Sequence, residues 1–237
     1  MKEIKPVGGL ARKTIVMLYL YIFSMACHMM TSIYEVVELS FHDPDAYLDG
    51  LLLSQSLTAL VGLVFLVIYI TTAVFFLKWT YRTSKNLHTL SGGTWQHSAG
   101  SAVGWHFVPI ASLFKPYQVM REIWTKAHKA WTPNTKLLPG WWTLWLISTF
   151  LGQILWRQEG EVVRDFQLMA VTQIISDIID IALGFAAIAL VSNIARAYEE
   201  NFYGATEAEE DRLEKLSEPT GETSSYRSNL QAQTKAE

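Results

Sequence analysis

The stretch VGWHFVPIASLFKPYQVMREIW, residues 103–124, decides how this chain is threaded. Its first half is as apolar as a membrane span, whereas its second half sets Lys115, Arg121 and Glu122 among apolar residues at helical spacing. Two prolines, Pro109 and Pro116, break it. As one helix, residues 99–114 would reach only about 24 Å, short of the roughly 30 Å of a hydrocarbon core. Pro109 would also remove a rung of that helix and crowd the preceding turn. The stretch therefore predicts a segment that dips into the membrane and returns, followed by a helix beginning at Pro116. Irregular backbone at membrane depth needs protein or water to satisfy its polar groups, so residues 99–114 are expected to lie buried against spanning helices.

Candidate spans stand on both sides of this element. Half of the 237 residues are hydrophobic, and they are gathered into four long runs, about 14–39, 51–77, 138–156 and 166–196. The second run continues as a basic helix through KWTYRTSKNLHTL, and the third carries Pro139 in its first turn, where proline is tolerated. The expected fold is an all-α polytopic bundle of four spans plus a re-entrant and interfacial, proline-broken element over 99–131. Residues 1–198 make up the membrane domain. Residues 199–237 form a tail with ten acidic residues against four basic ones, predicted to be disordered. Lys2, Lys5, Arg12 and Lys13 precede the first run as they would in a signal peptide, but the run is too long for a signal-peptide core and reads as an uncleaved span.

Charge sets the orientation. With the N-terminus cytoplasmic, the loop SFHDPDAYLDG, which has no Lys or Arg, is outside. Both ends of the 78–137 connection, with Lys78, Arg82, Lys85, Lys115, Arg121, Lys126, Lys129 and Lys136, are then inside, as is the C-terminus. A full crossing at 99–114 would export five of these, which is the second reason to read that segment as a dip. In the helix after Pro116, Tyr117, Met120, Ile123 or Trp124, Ala127 and Trp131 share one face, while Arg121, Glu122, Lys126 and Lys129 occupy the other. This predicts an interfacial helix with its apolar face toward the bilayer and its basic face toward anionic headgroups. The platform it forms comprises Trp105, Pro109, Pro116, Tyr117, Arg121, Trp124, Lys126 and Lys129.

Polar residues inside spans are expensive to keep and are candidate functional groups. On the first span Ser24, His28, Thr31, Glu35 and Glu38 share a face, and on the fourth Gln173, Asp177, Asp180 and Gly184 do. Ser54, Gln55 and Thr58 of the second lie at overlapping depth. The candidate cluster is His28, Glu35, Gln173, Asp177 and Asp180. His28 can pair with Asp177 or with Asp180, either as glue between helices or as part of a proton or cation site.

Other chemistries are absent. There is no P-loop, HExxH or GxSxG motif, and the single Cys27 permits neither an intrachain disulfide nor a cysteine-based metal site. No two histidines have ligand spacing on one span, and His88 and His97, in the connection around TLSGGTWQHSAGS, are expected to be solvated. Basic residues that hug span ends suit phospholipid rather than nucleic acid.

Three blocks, FLKWTYRTSKNLHTL, VGWHFVPIASLFKPYQVMREIW and LPGWWTLWLIS, resemble the signature blocks of the bacterial membrane-protein family catalogued as domain of unknown function 4328. Trp79, Tyr81, Arg82 and Asn86 match the first, and Trp141, Trp142 and Trp145 the third. Gly104, Trp105, Phe107, Pro109, Leu113, Pro116, Tyr117, Met120, Glu122 and Trp124 match the second. The resemblance covers roughly residues 50–200 and implies a multi-span bacterial membrane protein, with no activity attached. The expected function is a non-enzymatic, cofactor-free inner-membrane protein that binds anionic lipid headgroups, with a protein partner or a second copy also considered and nucleic acid excluded. The rival expectation is a small channel or transporter built on His28, Asp177 and Asp180.

Overall fold

The computed structural model describes residues 7–46, 52–90, 95–128 and 136–203. The described residues contain no β-strand. Helix α1 is Gly8–Leu39 and α2 is Leu53–Leu90, the latter running unbroken from its apolar part into the basic extension. A short α3, Ala99–Gly104, leads through two single 3-10 turns, Trp105–Phe107 and Ala111–Leu113, into α4, Lys115–Ala127. The long helices α5, Leu137–Trp156, and α6, Val163–Tyr198, complete the fold. Among the described residues, those from Tyr198 to Tyr203 belong to a separate unit. It opens with a π-helical turn, Glu199–Tyr203, and in it the rings of Tyr198 and Phe202 lie 5.6 Å apart.

Polarity is reversed relative to a water-soluble protein. Phe23, Leu63, Val67, Ile70, Leu168 and Ile178 are exposed along the long helices, while Thr14, Ser24, His28, Ser32, Ser176 and Asp177 are buried. Apolar surface this extensive is unstable in water and stable in lipid. Among the described residues three helices are long and apolar enough to cross a membrane: Gly8–Leu39, Leu53–Leu90, and α6 with its continuation, Val163–Phe202. Helix α5, with 20 residues and no charged side chain, is the shortest of the four long helices and is not among these three.

Hydroxyl groups tie α1 to α2, because a helix hydroxyl can reach a carbonyl of its neighbour when no water competes. Thr14 Oγ1 donates to Phe75 O (3.3 Å) and Thr72 Oγ1 to Met17 O (3.2 Å). At the other end of this antiparallel pair Glu38 accepts from the Ser54 backbone N–H (3.0 Å). The α1–α2 loop is pinned to the start of α6 through Val163 N–H to Ala46 O (3.1 Å), Arg164 N–H to Pro44 O (3.0 Å) and the exposed Arg164–Asp45 ion pair (3.2 Å). The α1–α2 loop and the α5–α6 turn therefore share one end of the bundle. Helix α6 approaches α1 closely at Gly184, where an added Cβ would fall 2.6 Å from Ile22 Cγ1.

The proline-broken element corrects two expectations. Residues 99–114 are packed only in part: Ala102 is buried, but Phe107 is 72% and Ile110 76% exposed, and Val108, Pro109, Leu113 and Phe114 are exposed beside them. Its backbone is satisfied locally instead. Ser112 N–H bonds Val108 O, Leu113 N–H bonds Ile110 O and Phe114 N–H bonds Ala111 O, so these groups need no enclosing protein. The second correction concerns α4, whose apolar face is covered by protein rather than left for lipid: Met120 and Ile123 are 1% exposed, and Val119 and Ala127 are buried with them. Helical spacing identified that face correctly but could not say what would cover it.

Candidate functional site

The stripe on α1 and the stripe on α6 meet. His28 Nδ1 lies 3.1 Å from Asp177 Oδ2 and 3.3 Å from Oδ1, and Gln173 Nε2 donates to Asp177 Oδ1 (3.0 Å). Asp177 is 0% exposed, so both partners matter: a buried carboxylate without them would lose several kcal/mol to desolvation. Of the two pairings open to His28, the structure selects Asp177. The other imidazole nitrogen, Nε2, faces Gly62 of α2, 3.6 Å from where a Cβ would stand. Small size at Gly62 lets α2 close over the ring.

Asp180, one turn further along α6, has a different set of neighbours. It accepts from Ser148 of α5 (2.6 Å) and from Ser176 (3.5 Å), and the Tyr21 hydroxyl of α1 is directed at it. Among the described residues no Lys, Arg or His contacts it. Glu35 stands apart, half-buried toward the α1–α2 loop end, near Thr58. The predicted cluster is thus a triad of His28, Gln173 and Asp177, a neighbouring Asp180 held by hydroxyls, and a peripheral Glu35. Tyr21 and Ser148 were missed. Tyr21 was legible, since it lies two turns before His28 on the same helical face; nothing in α5 singles Ser148 out from its other small polar residues.

Below the cluster, toward Trp141, lies a cavity of about 260 Å³ shared by α1, α2, α5, α6 and the turn at His106. Its wall is an aromatic run, with Trp142 stacked on Trp145 at 4.6 Å, Trp141 5.5 Å from Trp142, and Phe76 6.1 Å from Trp141. Tyr21 and Tyr69 close the upper side with ring centroids 6.3 Å apart. The His106 imidazole contributes to the lining, and burial there holds it below the ordinary imidazole range.

The basic, aromatic layer at this end is assembled by one carboxylate. Glu122 of α4 accepts from Gln96 N–H (2.7 Å) with one oxygen and faces His97 Nδ1 (2.9 Å) with the other. His88 Nε2 lies 3.0 Å from His97 O, and its ring stacks on Trp95 at 4.0 Å, beneath the Lys126 ammonium at 5.4 Å. His97 is 7% exposed, which overturns its reading as a solvated residue. His88 is likewise engaged. Of the predicted platform, Trp105 lies under Lys115 (5.7 Å), Tyr117 packs on Trp142, and Pro116 and Trp124 are buried. Pro109 and Arg121 are exposed, and Lys129 falls outside the described residues, as do Trp131 and residues 204–237 of the tail.

A second cavity, about 880 Å³, opens beside α2. Lys78, Arg82 and Lys85 line it from one helical face, Leu10, Val74 and Leu77 make its apolar end, and Gly100 and Val103 of α3 flank it. Among the described residues none of these three cations forms an ion pair with a carboxylate; Lys85 rests over the Tyr81 ring at 5.9 Å.

A bundle that exposes hydrocarbon, buries a carboxylate and gathers tryptophan and cations at one end is a helical membrane protein. The chain belongs to the family described as Domain of unknown function (DUF4328), whose model matches residues 45–196. No curated protein and no solved structure matches it.

Proposed function

We propose that this protein is a non-enzymatic, lipid-binding protein of a bacterial inner membrane. In this reading α5 is a fourth span, both termini are cytoplasmic, and the Trp-rich, basic end meets anionic headgroups. The observation that carries it is the Lys78–Arg82–Lys85 groove, with three cations that form no ion pair among the described residues at one end and Leu10, Val74 and Leu77 at the other. A phospholipid has the same polarity along its length. A juxtamembrane cation contributes about 1 kcal/mol to anionic lipid binding. Replacing all three by Gln should therefore weaken retention of phosphatidylglycerol on the purified protein, measured by native mass spectrometry, on the order of a hundredfold. Retention equal to that of phosphatidylcholine, or unchanged in the triple variant, would refute the reading.

A second reading is supported by the His28–Asp177–Gln173 triad beside Asp180: a proton or cation site within the bundle. No Lys or Arg occurs between residues 14 and 77, 137 and 156, or 165 and 195, so the spans supply no fixed cation to neutralise these carboxylates. Asp177→Asn and Asp180→Asn should each abolish ion flux in proteoliposomes if this holds. Flux that persists in both variants would exclude it.

A further inference from the structure

The aromatic cavity has chemistry that neither lipid headgroup binding nor proton binding uses. Its rings form a continuous wall from Phe76 through Trp141 and Trp142 to Trp145, and ring faces present negative potential to whatever lies against them. Among the described residues no Lys or Arg lines it. At its upper side Tyr21 reaches from the cavity to Asp180, a carboxylate whose other partners are the uncharged Ser148 and Ser176. The imidazole of His106 adds little positive charge, since burial favours its neutral form. The volume, about 260 Å³, lies between the roughly 150 Å³ that takes benzene and the range from about 300 Å³ upward of drug-sized sites. Tyr69 and Phe107, the strongly exposed members of the lining, mark an opening toward the surface that faces lipid.

We propose that this cavity binds a small organic cation, a substituted ammonium ion entering from the bilayer, with the α5 tryptophans and Phe76 around its alkyl groups and Asp180 as counter-charge behind Tyr21. A substituted ammonium suits the site because it is weakly hydrated, carries apolar substituents that fill space, and gains from each ring face it covers. A neutral ligand of the same shape would leave the carboxylate unanswered, and an inorganic ion would leave the apolar wall unfilled. The proposal rests on the cation reading of the buried cluster and extends it to a substrate class.

The test is equilibrium binding of radiolabelled phenyltrimethylammonium to the purified full chain in detergent, with tert-butylbenzene as the uncharged competitor of the same shape. Saturable binding displaced by unlabelled cation and not by tert-butylbenzene is expected. Asp180→Asn and Trp145→Leu should each weaken it about tenfold. Trp145→Phe, which keeps a ring and guards against misfolding of the Leu variant, should retain most of it. Equal displacement by the neutral compound, or unchanged affinity in both Asp180→Asn and Trp145→Leu, would overturn the proposal. No saturable binding in a preparation whose ion flux Asp177→Asn abolishes would overturn the organic-cation site and spare the ion site above it. Charge-selective binding in a preparation without flux would support the cavity and remove translocation.

Discussion

The His28–Asp177 pair between α1 and α6 and the His97–Glu122 pair beside α4 have nearly the same geometry, 3.1 and 2.9 Å, but not the same surroundings. Asp177 is wholly buried and its remaining hydrogen bond comes from another side chain, Gln173. Glu122 keeps some access to solvent and spends its second oxygen on a backbone N–H, that of Gln96. A carboxylate bonded to backbone fixes the path of a loop. One bonded only to side chains, beside a second carboxylate and a cavity, leaves its partners free to rearrange when a proton or ligand arrives. Equal distances therefore conceal a loop clamp and a candidate site.

The largest expected effect follows from breaking the buried pair. Asp177→Ala strands His28 and Gln173 away from water and should destabilise the protein by about 3–5 kcal/mol in thermal unfolding in detergent; a loss under 1 kcal/mol would mean that water reaches the cluster. Next comes Gly184→Val at the same α1–α6 contact, where the new side chain must displace Ile22. Overpacking should take away about 1–3 kcal/mol, and Ile22→Ala in the same chain should return part of it. A purely additive double variant would mean that the two helices are not in the close contact seen here.

Glu122→Ala should be milder, about 1–2 kcal/mol, because Gln96 is exposed and Glu122 itself is only partly buried, so water can replace part of what the carboxylate supplies. Its signature is local: hydrogen exchange at the Gln96 amide should accelerate while amides around Asp177 do not change. If Glu122→Ala proves as damaging as Asp177→Ala, the distinction between clamp and site fails. The smallest effect concerns His106, which belongs to neither pair. Its pKa is lowered on folding by burial, so the unfolded chain takes up a proton first as pH falls, and this residue's contribution is present above the ordinary imidazole range and lost below it. His106→Gln should therefore flatten the decline in stability between about pH 7 and 5. A steeper decline in the variant would reverse the assigned sign.

The long helices were legible because hydrocarbon thickness sets a length that an apolar run must meet, and the stripes on α1 and α6 because a helix repeats its faces every 3.6 residues. The connection was harder. His97 looked solvated because its partner, Glu122, is 25 residues away in the chain. Glu122 in turn looked like one more residue on the polar side of α4. The exposed run from Phe107 to Ile110 reads as material for burial, yet the carbonyls of Val108, Pro109 and Ile110 are bonded within four residues, which weakens the reason to bury it. The missed Ser148 lies on an element whose rotation about its own axis no internal pattern determines.

By itself the sequence determined that this chain lives in a membrane, which residues of each helix lie on a common face, and that carboxylates stand inside the bundle without a Lys or Arg between them. These are properties of one segment at a time, set by periodicity and by the thickness of the bilayer. Only the tertiary structure decided that His28 meets Asp177 rather than Asp180, that α4 is covered by protein, and that seven aromatic side chains surround one cavity. Those facts depend on how separate helices rotate and slide against each other, and that choice is made by packing between residues far apart in the chain.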